Sequence, residues 1–505
     1  MNSIKIEKQS VSHCSRQKAY TCEQALEAVV NLPEYFGEVS SVLCCVAEPS
    51  LNSVRVAAGR INAEGEVLIR IIYVSPEGRL YSYQLNTQFS RAVDAELDEG
   101  DELISRVRSE SFICRAESAN RLSIRGSVLI SHRAFRRIEQ SIVCNCEGMS
   151  QKKAELSLIS TSAAAQKHFV INDSIELPSS VGKIESLLAS SAQTVINDIK
   201  LISDKAMLTG DILLNLLYLS EGAAEPQGYS ASLPFTEVVD ILGAAEGDIC
   251  TARVSADSLD ISTNTTARQQ ELCCYLKLSA ELLCHRRLEV EAVLDAYSTE
   301  AEARLTSAPM SCLVSVEAIK ESYTVSKEID LGQNSTALVL DVQTGIAEVK
   351  SRLSEGRLIL EGSINISILQ KSPEGMFIRC ERALDFEWSR PIAETALDCE
   401  FEPQTAIVGK SFRQEGNRLR LSCELMIEGS ACLTREQRVI EQIELLDEGK
   451  SPLRRQGLIV YFAREGESLW DIAKHYNVPL EVLKSDNRLS EDSLDKKTTL
   501  LISCV

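Results

Sequence analysis

The sequence predicts a mostly β protein: three tandem antiparallel β-sandwich-like repeats followed by a small α+β domain of strand-helix-helix-strand order. Three observations carry this. A strand-turn-strand signature recurs three times at a spacing near 145 residues. Within each recurrence, apolar and polar residues alternate with period two, the mark of strands with one buried face. After Ile459 the pattern changes to helical spacing, bounded by cap residues.

The signature begins at a glycine. Gly65-Glu66-Val67-Leu68-Ile69-Arg70-Ile71-Ile72-Tyr73 returns as Gly210 to Tyr218 and again as Gly362 to Gln370. The glycines stand 145 and 152 residues apart, a unit long enough for an independent core and too long for a solenoid repeat. Behind it lie Ser75-Pro76-Glu77-Gly78, Ser220-Glu221-Gly222 and Ser372-Pro373-Glu374-Gly375, whose Pro and Gly suit a type I turn. The return strands end at Phe89, Phe235 and Phe386. Late in each unit come alternating strands at Arg121 to Ile130, Glu271 to Leu283 and Arg418 to Ile427. The units are placed at residues 1–150, 165–300 and 312–448, the third being the most degenerate, and the terminal domain at 457–505. The Ala/Ser-rich stretches near Ser150 to Lys167 and Ser298 to Ser311 are expected to be linkers or short helices.

The terminal domain reads residue by residue. Strands are expected at Leu458 to Phe462 and Leu500 to Ser503, adjacent to one another. Gly466 permits a tight turn, and Ser468 is a candidate N-cap. Leu469, Ile472, Ala473 and Tyr476 make one apolar helical face, which Asn477 ends. Pro479 opens a second helix at a position where its missing N–H costs nothing, and Asn487 closes it. A domain of about 50 residues has a marginal core and is expected to lean on a neighbour. Trp470 is expected to be a packing residue.

These residues resemble the LysM family, on the aromatic Tyr461, the Gly466-Glu467-Ser468-Leu469-Trp470 turn, Ile472-Ala473, Val478, Leu483 and Asn487. The resemblance implies a groove for N-acetylglucosamine-containing glycans, lined by Gly466, Glu467, Ser468, Leu469, Asn487 and Leu489, or the same groove reused to hold a protein. Two departures stand out: Glu467-Ser468 replaces Asp-Thr, and Lys497-Thr498-Thr499 replaces a Pro-Gly-Gln turn.

The repeats resemble the SPOCS domain of endospore coat morphogenesis. The resemblance rests on the Gly-led strand, the Leu-Pro-x-x-x-Gly openers at Leu32 to Gly37 and Leu177 to Gly182, Pro234-Phe235, and Asp295-Ala296-Tyr297-Ser298. Three copies before a terminal LysM are similar to the SipL-type coat morphogenetic proteins. That resemblance implies a non-enzymatic scaffold in the mother-cell cytoplasm, peripheral at the forespore outer membrane, binding the polymerising ATPase of the coat basement layer and other coat proteins. The alternative is a cell-wall protein targeted to peptidoglycan by its LysM. The start of the chain, Met1 to Lys8, has no apolar h-region, which favours the first reading.

Composition narrows the classes further. A net charge of −20 argues against nucleic acid, where affinity depends on neutralising phosphates. No apolar run reaches the length of a membrane span. The 17 cysteines stand where Val or Ala would fit, and are read as small buried hydrophobes rather than disulfides or metal ligands. No cofactor is expected. The five histidines are scattered, and Gly409-Lys410-Ser411 lacks the first glycine of a phosphate loop, because position 404 is Gln404. No catalytic residue is therefore assigned. Basic clusters at Arg133, Arg136 and Arg137, and at His285-Arg286-Arg287, are read either as docking points for an acidic partner or membrane surface, or as solvated strand ends.

Overall fold

Alternation in the sequence becomes strand in the computed structural model, which describes residues 5–98, 100–265, 270–299, 302–332, 337–392, 398–446, 457–490, 494 and 496–504. The first copy consists of β1 (Lys5–Asn31), β2 (Ser41–Ala57), β3 (Arg60–Val74), β4 (Leu80–Asp94), β5 (Glu102–Ser118) and β6 (Arg121–Glu147). The second has β7 (Ser150–Glu176), β8 (Ile184–Ile202), β9 (Lys205–Ser220), β10 (Gln227–Asp240), β11 (Ile249–Thr265) and β12 (Gln270–Tyr297). The third has β13 (Glu302–Asp330), β14 (Leu338–Ser354), β15 (Arg357–Lys371), β16 (Phe377–Pro391), the short β17 (Asp398–Glu400), β18 (Gln404–Glu415) and β19 (Arg418–Leu446). The chain ends in β20 (Gly457–Ala463), α1 (Leu469–Tyr476), α2 (Leu480–Asn487) and β21 (Thr498–Cys504).

Each copy builds two antiparallel sheets in one order. A meander, β2-β3-β4, β8-β9-β10 or β14-β15-β16, faces a sheet in which the last long strand pairs with both the first strand and the one preceding it. Side chains of both sheets interleave in one core per copy. The alternating residues lie on its inner face: Val67, Ile69 and Ile71, then Ile212, Leu214 and Leu216, then Ile364, Ile366 and Ile368, all buried. The sheet edges also touch, β2 on β5, β8 on β11 and β14 on β18. The signature glycine is directly opposite the signature phenylalanine in every copy, Gly65 to Phe89, Gly210 to Phe235 and Gly362 to Phe386. At Gly65 and Gly210 a Cβ would overlap both the Phe ring and a neighbouring strand's carbonyl, so only glycine fits under the ring. The Ser-led turns close as expected, with Gly78 and Gly375 donating to the carbonyls of Ser75 and Ser372 at 2.9 Å from positive φ.

The expected linkers are not linkers. Ser150 to Lys167 is the first part of β7, and residues 302–311 begin β13. Both stretches enter the junction between copies, where Leu156, Leu158, Ala163, Ala164 and Met310 are buried. The long first and last strands continue beyond each sandwich as two-stranded ribbons, and the three ribbons pack together. Ile142, Ala292 and Val439, at equivalent register positions, share one cluster with Val11, Leu156 and Met310. Further along lie Val143, Val293 and Ile440, followed by Cys146, Ala296 and Ile443. Register shifts recur where ribbon meets sandwich, between Arg16 and Ala19, Cys284 and His285, and Leu313 and Ser315. Bulges bend and twist a strand, which lets it serve both packings.

The three meanders also meet, β4 against β8, β10 against β14 and β16 against β2, around Ile72, Leu217 and Leu369. Polar pins cross between copies. Arg70, almost fully buried, donates to the carbonyl of Ser190 at 3.1 Å, and Gln404 donates to the carbonyl of Val254 at 2.9 Å. Among the described residues no helix is long and apolar enough to cross a membrane.

Candidate functional site

The terminal module is built as its residues predict. β20 and β21 pair antiparallel, Leu458 opposite Ser503 and Val460 opposite Leu501. Leu469, Ile472, Ala473 and Leu483 are buried beneath the helices. Asn477 takes the left-handed conformation that ends α1, and Arg488, one residue beyond Asn487, does the same for α2. Ser468 has N-cap backbone geometry, but its hydroxyl makes no cap hydrogen bond.

The six predicted groove residues lie in the turn before α1, at the start of α1, and at and just after the end of α2, and they divide by what their side chains already do. The Gly466 amide donates to the carbonyl of Leu494 at 2.7 Å, tying the two walls together, and Gly466 has a φ of 79°. Glu467 accepts from the Tyr461 hydroxyl at 2.6 Å and from the Arg464 amide at 2.8 Å. The Tyr461 hydroxyl, then the Arg464 amide, hold its carboxyl below the ordinary carboxylate range. Asn487 is committed to backbone: its amide donates to Leu483 and Leu501, and its oxygen accepts from the Leu501 amide at 2.7 Å. Leu469 is wholly buried. Ser468 and Leu489 are part-exposed, and Gly466 is exposed.

A second feature was not legible in the sequence. The module rests on the end of β12. Trp470 donates through its indole Nε1 to Asp295 Oδ2 at 2.8 Å, and Lys474 Nζ reaches Asp295 Oδ1 at 2.6 Å. The Tyr297 ring meets Trp470 edge to face with centroids 5.0 Å apart, and its hydroxyl donates to the Val478 carbonyl at 2.8 Å. Tyr297 thus belongs to the module's own apolar cluster. The marginal core leans on the second copy, and Trp470 packs across this boundary as well as within the module. Equivalent register positions carry Asn145 and Glu147 in the first copy, and Gln442 and Glu444 in the third. The dock is a property of the second copy alone.

The basic clusters are not strand ends, since β6 and β12 run straight through them. Most of their charge is met internally. Arg136 and Arg286, at equivalent positions, form two-pronged contacts to Asp101 and Asp248, the residues just before β5 and β11. The Arg136 guanidinium holds Asp101 below the ordinary range. Burial opposes ionisation of Asp248, but Arg286, the Ala245 amide and the Ser162 hydroxyl together outweigh it, and its pKa is lowered.

Comparison with known proteins agrees with this geometry. The family model described as SipL, SPOCS domain, matches residues 38–116 and 183–264, and the LysM domain model matches residues 463–503. The two SPOCS stretches cover equivalent ground in the first two copies, the meander and most of the strand after it. No curated protein and no solved structure matches the chain. SPOCS and LysM are binding families rather than catalytic ones, the first tied to sporulation and the second to peptidoglycan and related glycans. Matched stretches, repeated strand order and terminal module together make this a protein of SPOCS plus C-terminal LysM architecture.

Proposed function

We propose that the chain is a non-enzymatic scaffold for endospore coat assembly. It docks on the forespore surface from the mother-cell cytosol, binds the polymerising ATPase of the coat basement layer, and gathers other coat proteins through its three copies. The observation that carries this reading is the pairing of SPOCS stretches with a LysM module fixed onto the same body. Several weak contacts made by one chain add up by avidity, which suits shell assembly.

The LysM groove is the proposed point of contact, through Ser468, Leu489 and the backbone of Gly466, with Glu467, Leu469 and Asn487 shaping it from behind. Its ligand is an N-acetylglucosamine-containing glycan or a protein surface. The LysM match also supports the second reading, a peptidoglycan-binding wall protein. Deleting residues 458–505 tests the scaffold directly: the truncated protein is expected to lose its place on the forespore or its ATPase partner. Unchanged localisation together with unchanged ATPase capture would refute it. Saturable binding of the full chain to purified peptidoglycan, lost on Ser468→Trp, would make the groove a glycan site. Absence of such binding would make it a protein dock.

A further inference from the structure

Where the three copies meet, charges of both signs converge in unequal number. Glu281 of β12 is buried and accepts from Arg106 Nε at 2.6 and 2.8 Å and from Arg133 Nη2 at 3.2 Å. Both arginines belong to the first copy. Glu402, just before β18 in the third copy, meets Arg133 at 2.5 Å and Arg106 at 3.5 Å. Two carboxylates are thus answered by two guanidiniums.

A third guanidinium is left over. Arg253 of β11 stands directly opposite Glu281 in the ladder, so both side chains leave the same face of the sheet. Glu281 is already taken, and Arg253 has no carboxylate within ion-pair distance among the described residues. Its side chain is open to solvent although protein surrounds it, and burial, followed by the neighbouring Arg106, pushes its pKa below that of a free arginine. The cluster carries one net positive charge in a chain whose net charge is −20.

We propose that this junction binds a phosphate-type oxyanion, held by Arg253 with support from Arg106 and Arg133. A tetrahedral oxyanion offers acceptors in several directions, which suits forked donors arriving from different strands better than a planar carboxylate does. One such anion neutralises the excess charge. The site is composite: the first copy supplies two arginines, the second supplies Arg253 and Glu281, and the third supplies Glu402. It exists only when the copies are assembled.

Inorganic phosphate titrated into the full chain at constant ionic strength, followed by calorimetry and by thermal unfolding, tests this. The wild type is expected to bind saturably, with Tm rising by about 2 °C near saturation. Arg253→Gln is expected to bind at least about tenfold more weakly while keeping its fold, and Glu402→Gln to bind more tightly, because a competing carboxylate is gone. No saturable binding by the wild type, or equal binding by Arg253→Gln, overturns the proposal. Glycerol 3-phosphate as a second probe separates the sources: tighter binding than inorganic phosphate points to a phosphate carried on a larger molecule, and equal binding to the free ion.

Discussion

At the scale of single residues, Asp295 joins the two parts of the chain. It is the acceptor for both Trp470 and Lys474, and no other copy has an aspartate at that place. Replacing it with alanine leaves a largely buried indole N–H without a partner, a loss of about 1–3 kcal/mol. Asp295→Ala is therefore expected to loosen the module, read as a red shift in Trp470 fluorescence in a Trp388→Phe background. Within the groove, two substitutions separate shape from contact. Asn487→Ala removes three hydrogen bonds to backbone and is expected to unfold the module by circular dichroism. Ser468→Ala, whose hydroxyl makes no cap bond, should change stability by less than about 0.5 kcal/mol and act only on ligand binding. The sequence named six candidate groove residues, yet could not say which side chains were already engaged, because two of the three bonds that engage Asn487 are to Leu501 of β21, a separate element.

At the scale of elements, the meander strands were the most legible part of the molecule. Period-two alternation, the Ser-led turns and the Gly-to-Phe spacing each report a local geometry, and each is realised in the sheets. The glycine has a physical reason: Phe235 lies over Gly210, and a methyl group there meets both ring and carbonyl. Gly210→Ala is expected to destabilise the second copy by about 1–3 kcal/mol, measured as a lower denaturant midpoint. The ribbons were not legible. Ser150 to Lys167 looks like a linker because small residues pack closely against other strands just as they populate flexible segments, and composition alone does not separate the two. The loops before β5 and β11 add a pH dependence. Asp101 and Asp248 have lowered pKa values in the fold, so the stability they contribute is present above the ordinary carboxylate range and is lost as pH falls through their depressed values. An Asp101→Asn, Asp248→Asn double variant is expected to be less stable than wild type at pH 7 and to lose less on acidification, as followed by thermal unfolding.

At the scale of the whole molecule, the sequence predicted tandem units and left their arrangement open. Each unit keeps its own core, and the units also share smaller apolar clusters rather than following one another as beads on a string. What binds them is modest in each copy: a few outward apolar residues per meander, Ile72, Val74 and Leu80, Leu188 and Leu217, or Leu369 and Phe377, and a few residues per ribbon. On a single strand these look like ordinary exceptions to alternation, and their meaning emerges only when the three copies are brought together. The ribbons and the module they carry lie to one side of the sandwiches, and the module sits on one copy alone. The molecule therefore has distinct ends and no internal symmetry that could exchange them. If the module is the anchor, as proposed, anchored molecules all point the same way, and a layer built from them has an inner and an outer side before any further protein arrives.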